Sequence, residues 1–139
     1  MISISLMIYC LITGVVYLLL ISIILELIRK KWGFTGNISP LFLEDTGWSW
    51  FIVNFLMEFL FFIIIPTIGY SLFYLVIPFT GVRAGMAVAL MALTIGAVPI
   101  TMALSVRFKL PISYLMFILL SYFLKISGGL IIISYLYSL

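Results

Sequence analysis

Two ionisable residues, Glu58 and Lys125, stand in otherwise apolar stretches of the sequence and are the residues most able to do chemistry. A carboxyl group in such surroundings can hold a proton or a cation, and an ammonium group can neutralise it. Asn54 and Ser121 each precede one of these charges by four residues, so on helices they share its face. We predict that these residues form a buried polar or ion-binding site.

Helix geometry predicts that the two charges approach each other. Glu58 lies at ~12 Å of helical rise beyond Trp50, and Lys125 at ~21 Å beyond Pro111. Since side chains lean toward the helix N-terminus, the lysine reaches back toward the carboxyl group. A direct or water-bridged ion pair is one expected state. Two neutral groups are the other, because burial disfavours both charged forms.

The missing residue types exclude several kinds of chemistry. The sequence has no histidine and a single cysteine, Cys10. Histidine-ligated haem and zinc, imidazole catalysis, internal disulfides and paired-cysteine redox sites are therefore excluded. No nucleotide-binding glycine motif occurs. We expect no metal site, no cofactor, no catalytic residues and no nucleic-acid partner.

The composition is that of an integral membrane protein. Of 139 residues, 66% are hydrophobic and 8% are charged, whereas about a quarter of the residues of a soluble domain are charged. The apolar runs are continuous rather than alternating, which favours helices over barrel strands. We predict one all-α domain over residues 1–139, without β-sheet, whose four transmembrane helices span about residues 4–28, 50–77, 84–105 and 112–137.

Loop lengths predict how these spans are arranged. The short loops 78–83 and 106–111 make antiparallel neighbours, so the second, third and fourth spans form an up-down-up unit. The first span, tethered by the longer loop 29–49, is freer to dock elsewhere. Nothing in the sequence indicates an internal repeat.

Basic residues predict the orientation, because lysine and arginine concentrate on the cytoplasmic side. Five of them lie in loops 29–49 and 106–111, while Arg83 lies alone on the opposite side. We therefore expect these two loops in the cytoplasm and both termini outside. The expected membrane is the plasma membrane of a bacterium or archaeon.

Small residues recur along one side of the third span, where another backbone can approach closely. They are Gly81, Gly85, Ala89, Ala92 and Gly96. The face they form is expected either to pack within the chain or to contact another subunit.

Two prolines are expected to break the helices that contain them. Pro66 lies in the second span and Pro99 in the third. Each removes a backbone N–H and frees the carbonyl four residues earlier, at Phe62 and Ile95. The result is either a static bend or a hinge.

Two functions remain open. Abundant aromatic residues, short loops and the lack of chemical motifs favour a non-catalytic accessory or assembly subunit of a membrane complex. Glu58 and Lys125 favour the alternative, a small oligomeric transporter or channel. The expected partners are the lipid bilayer and either further copies of the chain or other membrane subunits.

Overall fold

The computed structural model describes residues 3–32, 48–108 and 110–139. Four helices in this part of the chain are long and apolar enough to cross a membrane. They are helix 1 (Ile4–Trp32), helix 2 (Trp48–Phe73), helix 3 (Gly81–Arg107) and helix 4 (Ile112–Ser138). None of the described residues forms a strand, and the predicted all-helical class is confirmed.

The helix ends lie within a few residues of the predicted ones. The largest differences, of four residues each, are at the ends of helices 1 and 2. Helix 1 extends to Trp32 rather than residue 28, and helix 2 ends at Phe73 rather than at residue 77. Residues 74–76 form a turn instead, and Pro78 disfavours a helical residue before it. Most of the first loop, residues 33–47, and Lys109 of the third lie outside the described residues.

The sequence predicts that the two prolines break their helices, whereas helices 2 and 3 continue through them. Each is accommodated by a five-residue π segment, Leu60–Ile64 before Pro66 and Leu93–Ala97 before Pro99. The N–H that follows each segment donates to the carbonyl five residues earlier. This wider turn relieves the clash between a proline ring and the preceding turn.

Helix 4 is the central helix of the bundle. Its most extensive packing is with helix 3, followed by helix 1, and it also contacts helix 2. Helices 2 and 3 make no close backbone approach to each other within the described residues. Helix 1, expected to be freer to dock elsewhere, packs along helices 4 and 2.

One end of the bundle, which we call the tyrosine end, holds a compact core. Cys10, Tyr70, Ala84 and Ile133 form a buried cluster there. The ring of Tyr137 lies 5.4 Å from that of Tyr70. This core joins the first residues of helix 1 to the last turns of helices 2 and 4.

At the opposite end, which we call the charged end, the bundle is open. No residue of Trp48–Phe59 in helix 2 is buried, and none of Val98–Arg107 in helix 3. Beyond the π segments, toward the tyrosine end, Ile65–Phe73 and Gly81–Ala92 each bury three residues. The π segments therefore divide helices 2 and 3 into a packed half and an unpacked half.

Candidate functional site

Glu58 and Lys125 form an ion pair between helices 2 and 4. The Lys125 Nζ donates a hydrogen bond of 2.6 Å to Glu58 Oε1. The Lys125 side chain is 10% exposed and the Glu58 side chain is 13% exposed. The structure thus gives the direct pair, one of the arrangements considered from the sequence. The other carboxylate oxygen, Glu58 Oε2, is buried without a hydrogen-bond partner.

A second ion pair lies nearby on helix 1. Arg29 donates two hydrogen bonds to the carboxylate of Glu26, three residues earlier. Glu26 is also close enough to Lys125 for their charges to attract. Lys30, in the last turn of helix 1, also attracts Glu26. Both acids at this end of helices 1, 2 and 4 therefore have basic partners, which lowers the cost of holding their charges in an apolar bundle.

Asn54 and Ser121, predicted to share the site, do not bond to the pair. The Ser121 hydroxyl donates to the carbonyl of Phe117 at 2.8 Å, because a serine inside a helix can bond the preceding turn. Asn54 is half-buried one turn before Glu58, and the structure gives it no hydrogen bond to either charge. The predicted site of four residues thus contains one bonded pair.

Next to the pair, Ile63 fills the crossing point of helices 1, 2 and 4. It is fully buried and lies between Gly14 and Gly129. A Cβ at Gly14 would come 2.5 Å from Ile63 Cγ2, and one at Gly129 would come 3.3 Å from the Phe62 carbonyl oxygen. The carbonyl that Pro66 leaves without its helical donor therefore faces a glycine, which lets helix 4 approach it.

Tyr17 joins helix 1 to helix 4 just beyond this crossing. Its hydroxyl donates to the carbonyl of Leu124, immediately before Lys125, at 2.6 Å. The ring occupies the space that a side chain at Gly128 would need. Sequence reasoning missed Tyr17. The Gly128–Gly129 pair was the available signal, since adjacent glycines open a helix backbone to its neighbours.

The small residues of helix 3 divide into two groups. Gly85 and Ala89 are buried, and Gly85 faces the backbone of Ile131 in helix 4. Gly81, which begins the helix with a φ of +61°, lies opposite Ser138. These contacts agree with packing within the chain.

Ala92 and Gly96 do not continue that packing. Ala92 is exposed, and a Cβ at Gly96 would meet nothing within 4 Å. Packing within the chain therefore covers the first half of the face, from Gly81 to Ala89, because helix 3 separates from helix 4 near its π segment. Gly96 is thus a small residue of the type that lets helices approach closely, but no other helix packs against it within the described part of this chain. Contact of the second half with another subunit, the other expected alternative, stays a prediction.

An apolar groove of about 220 Å³ lies between helices 2 and 3. Its walls are Phe61, Phe62 and Pro66 on one side and Ala92 on the other, and its floor is Ile126 and Leu130 of helix 4. The groove follows from the separation of helices 2 and 3, which leaves helix 4 uncovered between them.

Comparisons of the chain with protein-family models, with curated proteins and with solved structures found no match. The chemistry of the site is therefore argued from its geometry. A buried carboxylate and ammonium in direct contact can fix two helices to each other, or can exchange a proton at the unpartnered carboxylate oxygen.

Proposed function

We infer that this protein is an integral membrane protein that serves as a non-catalytic accessory or assembly subunit of a larger membrane complex. The observation that carries this proposal is the unpacked half of the small-residue face. Ala92 and Gly96 are residue types found where transmembrane helices meet. Within this chain, however, Ala92 borders an open groove, and a Cβ at Gly96, one turn farther along helix 3, would meet nothing within 4 Å. A transmembrane helix of another subunit seated there would complete the contact.

The state of the charges supports the same function. Lys125 forms a direct ion pair with Glu58, and Arg29 forms one with Glu26. A pathway for ions or polar solutes needs polar groups free to bind the solute. Paired charges between helices suit a fixed scaffold better.

The test is purification in mild detergent from the native membrane with the full chain. We expect a stoichiometric partner subunit to co-purify with the parent protein, and the variant Gly96→Leu to remain folded and lose that partner. The variant Gly69→Leu is the matched control, because a Cβ at Gly69 also meets nothing within 4 Å and Gly69 lies on helix 2, outside the small-residue face of helix 3. Parent protein that purifies alone as a homodimer contradicts the subunit proposal.

A small oligomeric transporter is the second candidate, and one observation favours it. Glu58 Oε2 is buried without a partner about 15 Å along helix 2 from its first residue, near the middle of a ~30 Å hydrocarbon layer. A proton bound there would release Lys125. Proton flux into liposomes that contain the purified homodimer, abolished by Glu58→Gln, would establish this function instead.

The proposed orientation places loops 29–49 and 106–111 in the cytoplasm of a bacterial or archaeal cell. It is tested with single cysteines at Thr80 and Phe108 in a Cys10→Ala background. Both positions are exposed. We expect an impermeant thiol reagent to label the cysteine at position 80 in intact cells, and the cysteine at position 108 only after the membrane is opened. The reverse pattern would invert the topology.

A further inference from the structure

The first half of helix 2, Trp48–Phe59, is weakly attached to the rest of the bundle. We call this segment the arm. It contains no buried residue and makes no close backbone approach to helices 3 or 4 within the described residues. Its backbone neighbour is helix 1. The Glu58–Lys125 ion pair links it to helix 4.

Immediately after the arm, the chain is firmly held. Ile63 is fully buried between Gly14 and Gly129, and Thr67 and Tyr70 are buried one and two turns later. A rigidly packed point therefore adjoins an unpacked segment of the same helix.

The backbone between the two is the part of helix 2 best suited to bend. Leu60–Ile64 is a π segment, and Pro66 removes one hydrogen bond from the following turn. Sharp changes of helix direction occur mostly at prolines and π bulges, and π bulges are frequent at functional sites.

We propose that the arm swings about Ile63 and that the Glu58–Lys125 ion pair is the latch that holds it beside helix 4. The latch lies close to the pivot, so a small movement at Glu58 becomes a large one at the tip of the arm. Ile63 is five residues from Glu58 and fourteen from Ser49, so a separation of about 3 Å at the pair displaces Ser49 by about 8 Å. The motion occurs within one chain and does not depend on the presence of a partner.

The test measures distances between spin labels in lipid nanodiscs, in a Cys10→Ala background. One label pair, at Ser49 and Met116, reports the arm against helix 4. A second pair, at Leu72 and Tyr135, reports the packed tyrosine end; all of these positions are exposed. We expect Glu58→Gln and Lys125→Met to shift or broaden the first distance by about 8 Å and to leave the second unchanged.

Two variants separate the latch from a general loss of structure. The charge exchange Glu58→Lys with Lys125→Glu keeps a pair of opposite charges and should restore the parent distance. Glu26→Gln, which removes the neighbouring acid on helix 1, should leave the arm in place. Where Glu58→Gln does not fold, Glu58→Asp replaces it, since the shorter acid keeps both charges and should give a smaller shift.

The position of the pivot is tested in the same assay with Pro66→Leu. Leucine restores the missing N–H and favours a regular helix, so it should reduce the shift caused by Glu58→Gln. An arm distance that is the same in the parent, in Glu58→Gln and in Lys125→Met overturns the proposal, because contacts other than the ion pair would then hold the arm. A full shift that persists with Pro66→Leu also overturns it, because the bend would then lie elsewhere.

Discussion

Gly85 of helix 3 packs directly on the backbone of Ile131 in helix 4: a Cβ at residue 85 would come 2.6 Å from the Ile131 Cα. The two helices cannot both keep their positions with any side chain there. Farther along helix 3, Gly96 faces open space. Both glycines belong to the same predicted small-residue face. A side chain at Gly85 would collide with helix 4, however, whereas a Cβ at Gly96 would meet nothing within 4 Å.

The first prediction uses this contrast. Gly85→Ala should lower the free energy of unfolding by about 1–3 kcal/mol, because the helix 3–helix 4 crossing must open. Gly96→Ala should leave it unchanged or raise it by up to about 1 kcal/mol, since alanine is the better helix former. Reversible unfolding in mixed detergent micelles measures both, and equal effects would contradict the packing described.

The second prediction concerns the contact between helices 1 and 4. Tyr17→Phe removes one hydrogen bond, to the Leu124 carbonyl, and should cost about 1 kcal/mol of unfolding free energy. Gly128→Ala should cost more, because its methyl group would displace the Tyr17 ring. In the double variant the two losses should not add, since both act on the same contact. Additive losses would show that the ring and the glycine act separately.

The third prediction concerns the core at the tyrosine end. Cys10 is fully buried, so its thiol should react with a maleimide far more slowly in the folded protein than in the SDS-denatured protein. A cysteine at Ser3, which is exposed just before helix 1, in a Cys10→Ala background is the control and should react readily when folded. Rapid labelling of Cys10 in the folded protein would contradict the packing of helix 1 against helices 2 and 4.

The sequence was sufficient to predict the helices and to place Glu58 and Lys125 near each other, with a direct ion pair as one of the expected states, and the reason is physical. Continuous apolar runs admit few structures other than helices in lipid. Two charged side chains deep in the membrane must avoid lipid, and the interior of a bundle this small brings them close to each other. Helix rise places the two charges ~9 Å apart in depth, and the lean of the lysine side chain toward the N-terminus of its helix closes part of that gap.

The remaining features depend on packing that a one-dimensional pattern does not contain. Whether Gly85 or Gly96 is covered depends on where helices 3 and 4 separate, and that depends on the π segment Leu93–Ala97. Proline predicts a disturbance of the helix but not its form. Tyr17 resembles any aromatic residue of an apolar helix until Gly128 is seen beside it.

The fourth prediction tests the energetics of the ion pair. Glu58→Gln and Lys125→Met should each lower the free energy of unfolding by about 3–5 kcal/mol, because each leaves a buried partner uncompensated. The double variant should recover part of that loss, since it removes both charges. Glu26→Gln is the matched control: the Glu26–Arg29 pair lies within one helix, where such pairs contribute about 0.2–0.5 kcal/mol.

The sign of the coupling in this cycle decides how the pair is used. If the double variant loses less unfolding free energy than the two single variants lose together, the two charges stabilise each other, as the 2.6 Å contact implies. Strictly additive losses would mean that Glu58 and Lys125 act separately despite their proximity. Glu58, with its unpartnered Oε2 and with Asn54 one turn away, would then be the better candidate for a proton or cation site. In that case the transporter would become the stronger of the two functions, because a carboxylate that does not need its lysine is free to bind something else.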